Sequence, residues 1–338
     1  MSPPPAAVIE PSIVTISAPS PVALRETTLR RNAFLASILA AVCIGFSAPL
    51  VRLADVGPAA IGFWRMFFAL GPMLVWAYAE HRASVRRAHL TGTQLSRPSV
   101  RQILLAMTAG LFFGGDLVFF HKGLAQTGTA NALLLGNLSV VFVFAFGWLI
   151  LRERPSRGLL VALGMALVGT VVIIGASAFQ STGTGDRLVG VVGDLFCVVA
   201  SLLYAGYMLA TRAVRRAARD EAAPLGGGMT SLIASATGAL SCLGLAAFDG
   251  ETIIPQSLQG LMAVIGLGLI AHAAGQGLAT FALGRLPAGV ISLVLLLQIV
   301  VGVLLAALMF GELPSLAVFA GGLLVVAGVA NARPGSSG

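Results

Sequence analysis

The sequence predicts an all-α polytopic membrane protein with ten transmembrane helices in two inverted five-helix repeats. The chain is 57% hydrophobic and 10% charged, with a mean hydropathy of +0.94, whereas soluble globular chains carry about 25% charged residues. Apolar runs of roughly 20 residues, the length of a helix that crosses a bilayer, recur along nearly the whole chain. The apolar–polar alternation of an outer-membrane barrel is absent from the sequence. The chain also matches itself at an offset of 159 positions.

The predicted spans are separated by turn residues, as at Gly57-Pro58 and Leu286-Pro287. In chain order, spans 1 to 10 are 32–51, 58–79, 102–121, 130–150, 157–175, 189–210, 228–248, 258–281, 288–310 and 315–331. The first repeat covers residues 32–175 and the second covers 189–331. Residues 1–31, which begin with a Pro-, Ser- and Ala-rich stretch, are predicted to be a disordered cytoplasmic tail, and 332–338 a flexible C-terminal tail.

The distribution of basic residues predicts the orientation. If the N-terminus is inside, 17 of the 21 basic residues fall in inside segments and three, Arg52, Lys122 and Arg187, fall in outside loops. The remaining one, Arg65, lies within a span. This bias predicts an inner-membrane protein with both termini in the cytoplasm. Basic residues scattered over short loops also argue against nucleic-acid binding.

The internal match is clearest where span 4 leads into span 5. "LRERPSRGLLVALGMALVGT", from Leu151, aligns with "FGELPSLAVFAGGLLVVAGV", from Phe310, which pairs Glu153 with Glu312 and Gly169 with Gly328. Each half has five spans, and an odd number means that the second half enters the membrane inverted. Inverted repeats are typical of secondary transporters, whose substrate site lies between the halves near the midplane.

The chain resembles the EamA-like branch of the drug/metabolite transporter superfamily in four features. These are the two five-span halves, a Glu at the end of spans 4 and 9, Arg65 directly after Trp64, and the segment "VVGDLFCVVASLLYAGYMLATRAVRR" that opens the second half. The resemblance covers residues 33–332 and implies this fold and a transport function, with export favoured by analogy. Members often carry a proline thirteen positions before each of these glutamates. Val140 and Ile299 stand there in this chain, so the resemblance leaves open whether the helix breaks at either position.

Arg65 and Asp116 are the charged candidates for a substrate site. Arg65 is predicted ~10 Å and Asp116 ~9 Å from the outer end of its span, by the rise of a helix. Charged residues inside spans are functional candidates by default. Three interpretations remain open: a structural ion pair, a pair that also contacts substrate or a proton, and an Arg65 that extends to the outer headgroups.

Other polar residues within spans complete the predicted substrate-binding set. They are Asn137, Tyr204, His272, Gln276 and Gln298. Hydrogen bonding between helices is the alternative role for each of them. His272 titrates near neutral pH when unperturbed, which makes proton coupling a candidate. Asp194 is either a second charged partner or, as we favour, an acidic residue of a first helical turn. The resemblance marks Glu153 and Glu312, but interface anchoring explains them equally well, and they are left out of the predicted site.

We expect a secondary transporter that moves small polar or amphipathic metabolites, with amino acids and related compounds as candidates, by alternating access. The chain has no Walker-type loop for ATP, no His spacing of a metal site and no predicted cofactor. We therefore expect no enzyme activity, and a monomer or homodimer in the bilayer. The alternatives are a receptor or scaffold of the same fold, or an intramembrane aspartyl protease built on Asp116 and Asp194.

Overall fold

The computed structural model describes residues 21–92, 97–126, 135–178, 187–220, 225–311 and 315–331. Within these ranges all regular structure is helical, and a helix lies at each of the ten predicted spans. Seven spans are long and apolar enough to cross a membrane, and the helices of spans 4, 5 and 10 are shorter apolar helices. In chain order the helices are Pro21–Gly45 with Ser47–Leu53 (span 1), Pro58–Thr91, Val100–Gln126, Ser139–Leu151, Arg157–Ala178, Arg187–Asp220, Gly227–Phe248, Leu258–Leu283, Ala288–Phe310 and Leu316–Asn331.

The exterior of the helix bundle is apolar. Large side chains such as Leu240, Phe248 and Leu308 are 71%, 87% and 82% exposed. Soluble proteins rarely expose extended apolar surface, so this exterior fits a protein surrounded by lipid.

Several helices are longer than predicted. Span 1 begins at Pro21, so the prediction of a disordered tail is wrong for residues 21–31, and residues 1–20 and 332–338 lie outside the described residues. Strong helix formers occupy this stretch, and Arg30 donates to Glu26 one turn earlier at 3.1 Å. Span 2 continues to Thr91 because neither proline nor glycine occurs between Met73 and Thr91, and Gly92 then ends the helix with a φ of 63°.

Spans 4 and 9 are interrupted at related positions. The turn at Asn137-Leu138 precedes the helix of span 4, and Leu296 separates Ala288–Leu295 from Leu297–Phe310. The Val140 N–H donates to Asn137 O at 3.2 Å, and the Ile299 N–H donates to Leu296 O at 3.1 Å. Both bonds span three residues instead of four, and the two sites differ by the 159-residue offset. The helix breaks are therefore present although neither position is a proline.

The packing of the helices repeats when the halves are exchanged. Span 3 packs along span 6, and its counterpart, span 8, packs along span 1. Span 4 contacts span 6, and its counterpart, span 9, contacts span 1. Span 2 pairs with its own counterpart, span 7, and span 5 pairs with span 10. This pattern is expected of two halves related by a pseudo-two-fold axis.

The glycines matched in the sequence mark the pairing of spans 5 and 10. A Cβ on Gly169 would lie 2.5 Å from Gly321 O, and a Cβ on Gly328 would lie 2.7 Å from Ala162 O. Ala162 and Gly321 are themselves related by the 159-residue offset, so the two approaches are equivalent. Residues without a side chain let the two backbones touch here.

Reciprocal glutamate caps join spans 2 and 7. Glu80, near the arginine-rich end of span 2, accepts from Gly227 N at 3.2 Å and Gly228 N at 2.9 Å, where span 7 begins. Glu251, just after span 7, accepts from Ala59 N at 2.9 Å and Ala60 N at 3.0 Å, where span 2 begins. Each carboxylate satisfies backbone donors that a helix start leaves unpaired. The two spans thus run antiparallel, as inverted repeats require.

Candidate functional site

A cluster of polar and aromatic side chains lies inside the bundle between spans 2, 3, 6, 7 and 8. It brings together five of the seven predicted site residues. The predicted members are Arg65, Asp116, Tyr204, His272 and Gln276, and the structure adds Phe113, Tyr207 and Ser235. Both halves of the chain contribute to this central cluster.

A π-helical segment in span 8 carries two of these residues. Leu267–Gln276 is wound as a π-helix between α-helical ends and includes His272 and Gln276. π-Helical turns are rare and occur frequently at functional sites. Gly268 allows the segment to approach span 2, since a Cβ there would lie 2.4 Å from Phe68 Cβ. The segment thus lies against span 2 beside Arg65, since the same Cβ would lie 3.1 Å from Arg65 O.

The hydrogen bonds of the cluster link different spans. The Tyr207 hydroxyl donates to Gln276 Oε1 at 3.3 Å, and Ser235 Oγ lies 2.8 Å from His272 Nε2. The Phe113 ring packs between them, with its centroid 4.8 Å from that of Tyr207 and 5.2 Å from that of His272. The cluster thus connects spans 3, 6, 7 and 8.

Arg65 is buried within this cluster and not extended to the outer headgroups. Its residue is 5% exposed, and its guanidinium carbon lies 5.6 Å from the centroid of the Phe113 ring, a favourable cation–π distance. Its Nε has no hydrogen-bond partner among the described residues. Asp116 acts on Arg65 electrostatically, but within the described residues the two form no contact ion pair. A role of Arg65 and Asp116 as a pair, structural or in contact with substrate, stays a prediction.

A small cavity adjoins the cluster. It offers a volume of about 10 Å³ to the centre of a water molecule, which is room for about one water. Three buried polar atoms around it, Thr211 Oγ1, Ser231 Oγ and His272 Nδ1, lack partners among the described residues. Buried polar atoms are nearly always hydrogen-bonded in proteins, so this site has unused capacity to bind a polar group.

Two predicted site residues lie elsewhere. Asn137 is at the break before the helix of span 4, and Gln298 is two residues after the break in span 9. Neither lines the cavity, and a role of either in substrate binding stays a prediction. Tyr207 and Ser235 could not be singled out beforehand, because aromatic and hydroxyl residues are common in apolar helices.

Glu153 has more partners than an interface anchor requires. Its Oε1 accepts from Arg212 Nε at 2.8 Å, and its Oε2 accepts from Ala288 N at 3.1 Å, at the start of span 9. Arg212 Nη1 also donates to Leu283 O at 2.6 Å, at the end of span 8. A residue of the first half thus binds two elements of the second. The match of Glu153 with Glu312 in the internal repeat was the sequence signal at this position, and Glu312 lies outside the described residues.

The comparisons with known proteins agree with this architecture. The family model described as the EamA-like transporter family matches residues 31–175 and 191–332. The chain belongs to the EamA-like transporter family. This EamA-like chain is 23% identical to an uncharacterized transporter of Clostridium kluyveri over 262 residues, which cover 77% of the chain and 79% of that relative.

Two further similarities concern a named exporter and a solved structure. The chain is 28% identical to the pseudopaline exporter CntI of Pseudomonas aeruginosa over 176 residues, covering 52% of the chain and 57% of the exporter. One solved crystal structure superposes with a TM-score of 0.67 at 21% identity, covering 89% of this chain and 96% of the other. These similarities indicate a multi-pass membrane transporter of this fold. The family and the names of these relatives point to a transporter and not to an enzyme.

Proposed function

We propose that this EamA-like protein is a secondary transporter that moves small polar or amphipathic metabolites across the cytoplasmic membrane by alternating access. Amino acids and related compounds are the candidate substrates. Export is favoured by analogy with the pseudopaline exporter CntI, to which the chain is similar over about half its length.

One observation carries the proposal: the buried polar cluster is built by both halves of the chain. Spans 2 and 3 supply Arg65 and Phe113, and spans 6 to 8 supply Tyr207, Ser235 and His272. In transporters with inverted repeats, the substrate binds between the repeats near the midplane. Among the described residues, Arg65 Nε and three polar atoms around the cavity have no hydrogen-bond partner. Leaving buried polar groups unsatisfied is costly, and a bound polar substrate would satisfy them.

The site is closed in this conformation, so transport requires a conformational change. The cavity has room for about one water, and a metabolite needs far more space. The segment after span 7 closes the end opposite to the arginine-rich one. Trp64 Nε1 donates to Ile253 O at 2.7 Å, and Lys122 Nζ lies 2.5 Å from Asp249 Oδ2. Rocking of one half against the other would break these contacts and open the cavity.

Proton coupling through the central cluster is part of the proposal. His272 is 3% exposed, hydrogen-bonded to Ser235 through Nε2, and unpartnered at Nδ1. A proton taken up at Nδ1 would place a second positive charge near Arg65, and the two charges would repel. Loading with a substrate or with a proton would therefore shift the balance between conformations. We further propose a monomer or homodimer in the inner membrane, with both termini in the cytoplasm.

The test is substrate flux in proteoliposomes. A panel of labelled polar metabolites, amino acids included, is presented with and without a pH gradient to the purified full chain. Gln276→Ala should reduce flux at least tenfold, because it removes the acceptor of the Tyr207 hydroxyl beside the cavity. Gln102→Ala is the matched control: Gln102 is 1% exposed, also lies within a span, and does not line the cavity.

Equal flux in the Gln276→Ala variant and the parent, at equal membrane abundance, would show that transport does not use this cluster. If the parent transports no metabolite of the panel but one of these metabolites still raises its thermal stability, a receptor is favoured over a transporter.

A further inference from the structure

A second and larger cavity lies at the arginine-rich end of the bundle, between spans 4, 5, 6 and 9. It encloses about 450 Å³, within the range of small-molecule sites. Its polar wall consists of four arginines and one glutamate, namely Arg152, Arg154, Arg212, Arg216 and Glu153, and its apolar wall includes Val143, Phe144 and Leu159. We call this cavity the arginine chamber.

The charges that line the arginine chamber do not balance. Glu153 is the one acidic residue among the described residues that line it, and it already uses one oxygen for Arg212 and the other for Ala288 N. Arg216 Nη1 donates to Leu151 O at 2.9 Å. The side chains of Arg152 and Arg154 have neither an ion pair nor a hydrogen bond in the part of the chain that the structure describes. The chamber therefore carries an excess of guanidinium groups that an anion would neutralise.

The preference for arginine on the cytoplasmic side does not by itself explain this arrangement. Such arginines normally extend into water or toward headgroups, and Arg152, Arg154, Arg216 and Arg157 are all exposed. The first three nevertheless line one cavity, which Arg157 does not. Arg212, by contrast, is 9% exposed and lines the chamber. The start of span 9 also contributes to the wall through Pro287 and Gly289, and the positive end of its helix dipole adds to the excess.

Span 6 connects the arginine chamber with the central cluster. Tyr207 and Thr211 line the central cavity, and Arg212 and Arg216 line the chamber. At the rise of a helix, Thr211 and Arg216 are separated by only about 7.5 Å along the span. Arg65, deeper in the bundle, is a further guanidinium, and its Nε has no hydrogen-bond partner within the ranges that the structure describes. A negatively charged group thus meets guanidinium groups first in the chamber and then at the centre.

We propose that the arginine chamber binds the carboxylate or phosphate group of a small anion, and that the transported metabolite carries such a group. Guanidinium forks match both oxyanions. Binding in the chamber would concentrate the anion next to the central cluster, and a change of conformation would pass it on to Arg65. The substrate class rests on the proposed transport function, whereas the anion site does not.

The test measures the thermal stability of the purified full chain in a neutral detergent as citrate is added at constant ionic strength. The parent should be stabilised saturably by citrate and not by chloride. Arg154→Gln should raise the half-saturating citrate concentration about tenfold, the effect of losing one charged hydrogen bond. Arg157→Gln, three residues away and outside the chamber, should change it less than twofold.

A second variant guards against a folding defect. Arg152 has a φ of 56°, a conformation that asparagine tolerates, so Arg152→Asn should fold and also weaken citrate binding. Equal citrate affinity in the parent, Arg154→Gln and Arg152→Asn would overturn the proposal.

An anionic lipid headgroup offers the same phosphate chemistry, and a parallel titration separates the two sources. If phosphatidylglycerol in mixed micelles stabilises the parent but not Arg154→Gln, and citrate has no effect, the chamber is a lipid site. That result would overturn the substrate class. If the parent binds citrate and Arg154→Gln does not, but the parent transports no metabolite, the transport function is refuted and the anion site stands. If the parent transports a metabolite in a Gln276-dependent way but is not stabilised by citrate, only the anion site is refuted.

Discussion

The contact between Glu153 and Arg212 should be a main source of cohesion between the two halves. The side chains of Arg212 and Glu153 are only 10% and 13% exposed. The pair links the end of span 4 to span 6, and through Leu283 O and Ala288 N to the end of span 8 and the start of span 9. We expect Arg212→Gln and Glu153→Gln to destabilise the fold, with Arg212→Gln the more severe.

The magnitudes follow from the partners that each substitution leaves behind. Arg212→Gln removes the cation from a largely buried carboxylate, a loss of roughly 3–5 kcal/mol, and it also removes the bond to Leu283 O. Glu153→Gln keeps an oxygen that accepts from Ala288 N, and Arg212 keeps Leu283 O, so the cost should lie near the lower limit. In the double variant neither charge remains unpaired. Its cost should therefore be about 1–3 kcal/mol less than the sum of the single costs.

Reversible unfolding in mixed micelles, monitored by circular dichroism, gives the four free energies of this cycle. The matched control is Lys122 and Asp249, a pair at the other end whose side chains are 33% and 27% exposed. Exposed pairs contribute about 0–1 kcal/mol, so this second cycle should show little coupling. Additive losses for Glu153 and Arg212, within about 0.5 kcal/mol, would refute the inference that their pairing holds the halves together.

Two further predictions concern orientation and the reciprocal caps. In a version without its three cysteines, a cysteine at Leu90 should be protected from an impermeant thiol reagent in whole cells and one at Ile254 should react; the opposite pattern would reverse the orientation. Glu80→Ala and Glu251→Ala should each lower the free energy of unfolding by about 0.5–2 kcal/mol, and by similar amounts. The two losses should add in the double variant because the caps lie at opposite ends of span 2. Strongly unequal losses in chemical unfolding would contradict the equivalence of the two caps.

The all-helical fold could be predicted from the sequence because it depends on long-range averages. Apolar runs of about 20 residues separated by prolines and glycines leave few alternatives in a bilayer, and a helix lies at every predicted span. The helix ends were harder to predict. Span 2 continues to Thr91 because a charged stretch of good helix formers remains helical after it leaves the apolar run. Hydropathy locates the part within the membrane and not the part beyond it.

The candidate site was only partly predictable. Arg65, His272 and Gln276 were found because charged and amide groups are rare in apolar helices, and the structure places them in one cluster. Tyr207 and Ser235 carry no such signal. Contacts within the cluster also depend on details that one sequence does not reveal, such as the π-helical winding of span 8 and the position of Phe113 beside Arg65.

The breaks in spans 4 and 9 show how packing can maintain a feature without the residue that usually produces it. A proline would remove the N–H at position 140 or 299 and so exclude the four-residue helical bond there. Val140 and Ile299 keep that N–H, yet both donate it to the carbonyl three residues earlier. The contacts around the breaks are close: a Cβ on Gly136 would lie 2.8 Å from Phe120 Cε2, and one on Gly45 would lie 3.2 Å from Gln298 O. We infer that neighbouring helices fix the breaks, and two related positions can keep the same geometry because the two halves are packed in equivalent ways.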